Sequence, residues 1–214
     1  MIAKTTELFS IEKTIASKLL SECEYPWTAL DRIGEFIENW AKDRGDDYDE
    51  IDKGVFVAKD AKIWQGAVIE GPAIIGHGAE LRPGAFLRGN VIIGDGAVIG
   101  NSTEVKNSII LEGAQLPHYN YIGDSIIGYK AHMGAGAIAS NLRLDKAIVN
   151  AVSEDEKIST GRKKVGVMLG DMAEVGCGSV LCPGTIIGRR AVVYPLSCVK
   201  GSLPEGSVFK GEKG

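Results

Sequence analysis

An aliphatic residue recurs at every sixth position over much of this sequence, and this period constrains the fold more than any other feature. One series of such residues begins at Val57 and a second begins at Leu169. The position four residues after each of them is mostly small or β-branched. The frame slips between the two series, where Ile127 follows Ile122 after five residues. The two series are Val57, Ile63, Ile69, Ile75, Leu81, Leu87, Ile93, Ile99, Val105 and Leu111, and Leu169, Val175, Leu181, Ile187, Val193 and Val199.

A six-residue period with one large and one small buried position suits a triangular coil of short strands. Three hexads make one coil, and coils stack at about 4.8 Å, the spacing of paired strands. The corners need residues that accept a positive φ, and glycine supplies 28 of the 214 residues. The period therefore predicts a mainly β solenoid in which each coil contacts its neighbours.

Residues 1–50 do not follow the period and predict two helices followed by an acidic linker. The first helix has Ser10 as its N-cap, and the second follows Pro26 and stops by Gly45. We expect the helices to cover the open first coil, whose strand edges need protection. A docking surface for a partner is the alternative. Their apolar faces consist of Leu8, Ile11, Ile15 and Leu19, and of Leu30, Ile33, Ile37 and Trp40.

Three polar residues of the solenoid point to chemistry. His118 lies near the slip in the frame, where it could accept a proton near neutral pH, or could be a corner residue bonded to a backbone carbonyl. Arg88 and Lys106 are separated by one coil and should stack on one face. Two cations about 5 Å apart repel each other unless an anion such as phosphate bridges them. Because Glu70 precedes Arg88 by another coil, a ladder of charges is the other interpretation.

The motifs around His118 resemble a known family. The hexads, over residues 55–210, are similar to the hexapeptide repeat of left-handed β-helix proteins, most of which are acyltransferases. Residues 117–124, PHYNYIGD, resemble the His-x-x-Tyr-[Ile/Leu/Val]-Gly-Asp motif of glucosamine-1-phosphate N-acetyltransferases. Residues 134–136 (GAG) also match that family, while 141–145 (NLRLD) and 160–164 (TGRKK) resemble its archaeal members. The resemblance implies a left-handed parallel β-helix behind an N-terminal α-helical segment, with an inserted loop at 141–164.

The resemblance also implies roles for individual residues. His118 would be the catalytic base that takes a proton as an amine attacks the thioester of acetyl-CoA. Backbone N–H groups around Ala135 would hold the developing oxyanion. Related acyltransferases are homotrimers with sites between neighbouring prisms, so a homotrimer is expected. The remaining implied contacts are Arg88 and Lys106 with the sugar phosphate, Tyr121 and Asn141 with the sugar, and Ala135, Cys177, Lys163, Lys164 and Lys210 with acetyl-CoA.

Composition excludes several other classes of function. The net charge of −4 argues against nucleic acid as a partner, and no apolar run is long enough for a membrane span. The N-terminus lacks the apolar region of a secretory signal, and the four cysteines form no CxxC pair, so we expect reduced thiols in a cytoplasmic protein. His77, His118 and His132 lack the close His-x4-His pair of zinc-dependent β-helix enzymes, so no metal is expected.

The acceptor stays open at this stage. Family members often have asparagine where His132 stands, and archaeal members have two lysines where this sequence has only Lys146 nearby and Asn150 in the second place. The function expected is acetyl transfer to an amino sugar phosphate or nucleotide sugar. An acyltransferase for a different acceptor and a non-catalytic sugar-nucleotide-binding or scaffold protein are the alternatives. Because the segment before the repeats is too short to contain a nucleotidyltransferase domain, we expect no uridyl transfer.

Overall fold

The chain folds into a triangular prism made of short strands. The computed structural model describes residues 2–211, apart from the side chain of Lys13. Equivalent strands of successive coils pair in parallel and form three flat sheets, called here faces A, B and C. The fold class expected from the repeat and the resemblance, a mainly β left-handed parallel β-helix, is confirmed.

Each coil contributes one strand to each face. Face A consists of β1 (Tyr48–Asp52), β2 (Val55–Ala58), β5 (Ala73–Ile75), β8 (Val91–Ile93), β11 (Ser108–Ile110), β14 (Ile126–Ile127), β19 (Val167–Leu169), β22 (Thr185–Ile187) and β25 (Ser202–Leu203). Face B consists of β3 (Lys62–Ile63), β6 (Glu80–Leu81), β9 (Val98–Asn101), β12 (Gln115–His118), β15 (His132–Met133), β20 (Glu174–Val175), β23 (Val192–Val193) and β26 (Val208–Phe209). Face C consists of β4 (Val68–Glu70), β7 (Phe86–Arg88), β10 (Glu104–Lys106), β13 (Tyr121–Gly123), β16 (Ile138–Ala139), β21 (Val180–Leu181) and β24 (Cys198–Val199).

The hexad residues fill the interior of the prism. Leu81, Leu87 and Ile99 are fully buried in one continuous core, together with the small residues Ala79 and Ala85 at the corners. Consecutive coils keep a constant step of three hexads up to β10, where Val105 pairs with Leu87. The aliphatic period of the sequence therefore places the core residues correctly over these coils.

The first slip in the frame occurs earlier than the sequence indicated. Ile110, not Leu111, pairs with Ile93 and enters the core, so the step there is one residue shorter than three hexads. A second step of the same shortened length joins Ile110 to Ile127. Both steps are shortened at the corner between faces C and A, and Leu111 lies instead among the apolar residues outside face A.

The N-terminal segment is more broken than two helices. It contains α1 (Thr5–Leu8), a 3-10 helix (Ile11–Lys13), α2 (Ser17–Ser21), a second 3-10 helix (Pro26–Ala29) and α3 (Ile33–Trp40). The first predicted helix is interrupted because its backbone binds the prism. The Ser10 N–H donates to Asp171 Oδ2 at 2.7 Å, and the Asp171 N–H donates to the Leu8 carbonyl at 3.0 Å. Ser10 makes no side-chain cap, and α3 ends at Trp40, well before Gly45.

The helical segment covers a face of the prism, not its first coil. Its buried residues, such as Leu30 and Ile33, share a cluster with the outward side chains of face A, among them Ile74 and Ile92. The first coil is protected on face A by β1, which pairs antiparallel with β2. The expected acidic linker is thus partly a strand. Among residues 2–211 no helix is long and apolar enough to cross a membrane.

The segment at 141–164 leaves the prism at the corner between faces C and A. It folds into an antiparallel hairpin of β17 (Asn150–Val152) and β18 (Lys157–Ser159), which also packs on face A. The prism continues across this insertion without distortion, since Ile127 pairs with Leu169 on face A.

The buried outer side of face A predicts a difference between two isoleucines. Ile74→Ala should lower the free energy of unfolding by about 3 kcal/mol, because Ile74 is fully buried beneath the helical segment. Ile138→Ala on face C, where the side chain is 38% exposed, is the matched control and should cost less than about 1 kcal/mol. Urea unfolding of both variants measures this, and equal losses would show that the helical segment does not seal face A.

Candidate active site

Three of the expected site residues occupy equivalent positions in successive coils. The Gly136 N–H donates to the His118 carbonyl at 3.0 Å, and the Gly178 N–H donates to the Ala135 carbonyl at 2.9 Å. The Leu196 N–H continues the series to the Cys177 carbonyl at 2.9 Å. His118, Ala135 and Cys177 therefore form one column along the corner between faces B and C, called here the corner column. All three are exposed.

The turn that carries His118 is held by a buried amide. The Asn120 side chain accepts the His118 N–H at 3.2 Å, and its Nδ2 donates to the carbonyls of Gly134 and Ala137 at 2.9 and 3.1 Å. Tyr119, between them, has a φ of 53°. In the part of the chain that the structure describes, the ring of His118 makes no hydrogen bond, so it is not a corner residue tied to a carbonyl. Asn120 fixes the backbone and leaves the ring free.

Tyr121 and Asn141 meet over the third residue of β13. A Cβ on Gly123 would lie 2.5 Å from Asn141 Nδ2 and 2.6 Å from Tyr121 Oη, so only glycine leaves room for both groups. Burial raises the pKa of the Tyr121 phenol, and the negative charges of Glu104 and Asp124 add to this effect. The phenol therefore stays protonated and can donate a hydrogen bond at neutral pH.

Asp124 is the centre of the polar groups at the corner between faces C and A. Its side chain is 3% exposed and accepts from Lys106 Nζ at 3.2 Å, Asn107 Nδ2 at 2.8 Å and Asn141 Nδ2 at 2.5 Å. Arg162 lies 3.8 Å from the other side of the carboxylate group. A buried carboxylate needs such donors, and here it fixes two of the residues expected to bind the acceptor.

Arg88 and Lys106 are not a bare pair of cations. Arg88 Nη1 lies 2.5 Å from Glu104 Oε1, and Glu104 raises the pKa of the Arg88 guanidinium further. Lys106 pairs with Asp124. Glu70 and Arg88 are in register, as the alternative of a charge ladder required. Each cation therefore has its own carboxylate, and an anion is not needed to hold the two cations together.

A shallow apolar groove lies beside the corner column on face B. Its volume is about 340 Å³, and its lining includes Gly134, Cys177, Tyr194 and Pro195. Lys210 Nζ stands 5.6 Å from the centre of the Tyr194 ring, so a cation lies beside one residue of the groove wall. The groove brings Lys210 to the same side of the prism as Cys177.

Lys163 and Lys164 lie elsewhere. Both are exposed, and Lys164 bridges to Leu142 on the insertion at the corner between faces C and A. The width of face C, roughly 10 Å for a strand of three residues, separates that corner from the corner column. Within one chain the structure does not bring these two lysines to Cys177.

The other histidines have carboxylate partners. His77 Nδ1 lies 2.9 Å from Asp60, and His132 Nδ1 lies 2.9 Å from Glu174. Within residues 2–211 no cluster of three or more His, Cys, Asp or Glu side chains is arranged to hold a metal ion. His132 borders the groove, where its pair with Glu174 adds the polar part of the wall.

Sequence reasoning missed Asp124, Asn120 and Arg162 as parts of the site. Asp124 ends the PHYNYIGD segment, and Asn120 lies inside it, so both were within the motif without a role. Arg162 lies in the TGRKK segment, in which only the two lysines were given a role. Asn120 could have been found from the sequence, because it is a polar residue at a position that the six-residue period predicts to be buried.

Comparison with known proteins identifies relatives of the chain. Residues 69–159 match the family described as the GMPPB C-terminal domain. The bifunctional sugar-1-phosphate nucleotidylyltransferase/acetyltransferase of Sulfurisphaera tokodaii is 36% identical over 194 residues, which are 86% of this chain and 47% of the relative. The bifunctional protein GlmU of Methanococcus aeolicus is 35% identical over 83% of this chain and 49% of its own length. This chain therefore spans about half the length of these relatives.

A shorter relative is matched over most of its length. The putative uncharacterized acetyltransferase YaiX of Escherichia coli K12 is 34% identical over 159 residues, which are 74% of this chain and 69% of the relative. Together with the six-residue period and the prism that it builds, this match assigns the family. The chain belongs to the hexapeptide-repeat acetyltransferases.

Proposed function

We propose that this chain transfers the acetyl group of acetyl-CoA to the amine of a sugar phosphate or nucleotide sugar, with glucosamine-1-phosphate as the first acceptor to test. The observation that carries the proposal is the corner column, in which His118, Ala135 and Cys177 stack beside an apolar groove. The relative from Sulfurisphaera tokodaii supports this class of acceptor, because its name combines a sugar-1-phosphate nucleotidylyltransferase with an acetyltransferase.

The groove supplies a place for the donor. The pantetheine arm of acetyl-CoA would lie along the apolar wall near Cys177, and Lys210 would meet one of its phosphates. The Gly136 N–H is already used by the His118 carbonyl, whereas the Ala135 N–H has no partner among the residues that the structure describes. The Ala135 N–H is therefore the donor available to the oxyanion of the tetrahedral intermediate.

Face C supplies a place for the acceptor. Tyr121 begins the face C strand next to the corner column, and Asn141 and Lys106 both donate to Asp124 at the opposite edge. A sugar bound across face C would therefore present its amine toward His118 and its phosphate toward Lys106. Arg88 would release Glu104 to take the same phosphate, since its side chain is 44% exposed and free to turn. Lys163 and Lys164, at the corner beyond Asn141, would face the phosphates of a cofactor only across the boundary between two copies of the chain.

The reaction is an aminolysis of a thioester. The amine nitrogen bonds to the acetyl carbonyl carbon, the carbon–sulfur bond breaks, and the amine proton passes to His118 and from there to the CoA thiolate. A base of this kind contributes about 10²–10⁴-fold to the rate. Placing the amine beside the thioester supplies much of the remainder.

We also propose that three copies of this chain form a homotrimer. Tyr119 and Leu196 are 64% and 86% exposed and belong to the turns that follow His118 and Pro195, next to the corner column. A neighbouring prism against this corner would cover both side chains and enclose the groove.

The trimer predicts a mass in solution of three times 22.8 kDa, which light scattering on the purified protein measures. A monomeric mass at micromolar concentration would contradict the trimer.

The decisive experiment is thiol release from acetyl-CoA in the presence of glucosamine-1-phosphate. His118→Ala should reduce kcat by at least about 10²-fold, because among the described residues no other imidazole and no carboxylate belongs to the corner column. His77→Ala is the matched control, since this histidine pairs with Asp60 away from the column, and should keep wild-type turnover. Wild-type protein that turns over none of a panel of amino sugar phosphates and nucleotide sugars would overturn the proposal in favour of a binding protein.

The glycine beneath the acceptor groups gives a second prediction. Gly123→Ala should displace the Tyr121 hydroxyl and the Asn141 amide, raise KM for the acceptor by about tenfold, and leave KM for acetyl-CoA unchanged. It should also bring the pKa of the Tyr121 phenol down toward its ordinary value, because the ring moves into water. Gly45→Ala, which meets nothing closer than 3.9 Å, is the control. An unchanged tyrosine titration and an unchanged KM would refute this role for Gly123.

A further inference from the structure

Arg162 joins the N-terminal segment to the acceptor side of the site. Its side chain is 16% exposed and lies between two carboxylates. Nη1 forms an ion pair with Asp31, which precedes α3, and Nη2 lies 3.8 Å from Asp124 Oδ1. Its Nε donates to the Lys164 carbonyl at 3.3 Å, which holds the guanidinium at the corner between faces C and A.

The N-terminal segment touches this corner at a second point. A Cβ on Gly34 of α3 would lie 2.6 Å from Oδ1 of Asn90, the residue that follows Arg88 and Gly89 at the same corner. The Ser108 N–H donates to the Asn90 carbonyl at 3.0 Å, so Asn90 stands one coil before the Asn107 that bonds to Asp124. The segment therefore lies along the corner where the acceptor residues are fixed, and Asp31 is not an isolated contact.

Arg162 contacts the carboxylates of Asp31 and Asp124 at unequal distances. Asp124 is hydrogen-bonded to Lys106, Asn107 and Asn141, and its contact with Arg162 is longer than a hydrogen bond. Asp31 is 75% exposed and holds the other end of the same guanidinium. The carboxylates of Asp31 and Asp124 thus compete for the guanidinium of Arg162. The closer Arg162 lies to Asp124, the less negative charge remains beside Lys106.

We propose that Arg162 is a positioning residue of the acceptor site, and that Asp31 of the N-terminal segment weakens the binding of an anionic acceptor by drawing the Arg162 guanidinium away from Asp124. The inference depends on the proposed function, because it assumes that Lys106 and Asn141 bind the phosphate-bearing acceptor. It assigns to the helical segment an influence on the affinity of the site, in addition to covering face A.

The proposal predicts effects of opposite sign for the two partners. Without Arg162, Asp124 binds Lys106 more tightly and leaves more negative charge beside the phosphate, so acceptor binding weakens. Without the charge of Asp31, Arg162 moves onto Asp124 and neutralises it, so Lys106 is released and acceptor binding tightens. A purely structural role would make both changes harmful.

The experiment compares KM, kcat and calorimetric binding of glucosamine-1-phosphate in the full-length protein. Arg162→Gln should raise KM and Kd for the acceptor by about tenfold, and Arg162→Lys by less. Asp31→Asn should lower both by about twofold, since the group is largely exposed and screened. Asp31→Asn should keep kcat and the KM for acetyl-CoA, because Asp31 is exposed and the corner column lies on the other side of face C.

Two controls separate the specific effect from a general one. Glu22→Gln removes a carboxylate from the same segment, where it pairs with Arg32 away from the prism, and should leave acceptor binding unchanged. In the double variant of Arg162→Gln with Asp31→Asn, the second change should have no effect, since Asp31 acts through Arg162. Thermal unfolding identifies any variant that loses its fold. If the Arg162 variants unfold, the acceptor affinity of Asp31→Asn, a change at an exposed residue, tests the proposal by itself.

The outcomes distinguish this inference from the function on which it depends. Wild-type turnover together with unchanged or raised KM in Asp31→Asn would overturn the inference and leave the acetyltransferase proposal intact. Tighter binding in Asp31→Asn that persists without Arg162 would also overturn it, because the effect would be long-range charge alone. A wild-type protein that neither binds nor acetylates any amino sugar phosphate would overturn both.

Discussion

Parallel pairing between consecutive coils at a nearly constant step is the constraint on which the whole molecule depends. Most strands have only two to four residues, so no coil is stable without its neighbours. The constant step converts sequence position into a place on one of three faces. His118, Ala135 and Cys177 are far apart in sequence, but the step aligns them along one corner.

The two shortened corners bury polar groups, among them Asn107 and Asp124. Removing one residue from the turn leaves Asn107 and Asp124 at φ values of 47° and 48°, a conformation that asparagine and aspartate accept better than most residues. The same turn buries the Asp124 carboxylate, which must then collect donors. Lys106 and Asn141 supply them and are thereby held at the edge of face C. The fixed positions of Lys106 and Asn141 thus follow from the change of period.

The period and the motif were enough to predict the prism and most of its core, although Ile110 takes the place expected for Leu111. They were not enough to place the helices, because the decisive information lies in the outward residues of face A. Ile74, Ile92 and Ile109 face away from the core and are still apolar, which marks a face that another element covers. The pair of Arg88 with Glu104 runs diagonally between coils, and a comparison in steps of one whole coil does not detect it. The break after Leu8 depends on Asp171, which is distant in sequence.

The insertion at 141–164 leaves and re-enters the prism at one corner, and the coils on either side of it pair as if it were absent. Asn141 and Arg162 of the insertion and Asp31 of the helical segment lie near Asp124, whereas within one chain the corner column and its groove belong to the coils alone. Under the proposed function, substitution or shortening of the insertion would alter the acceptor side and leave the coils that carry the corner column in place. A scaffold of this kind distributes its two groups of candidate site residues over parts of the chain that can evolve independently.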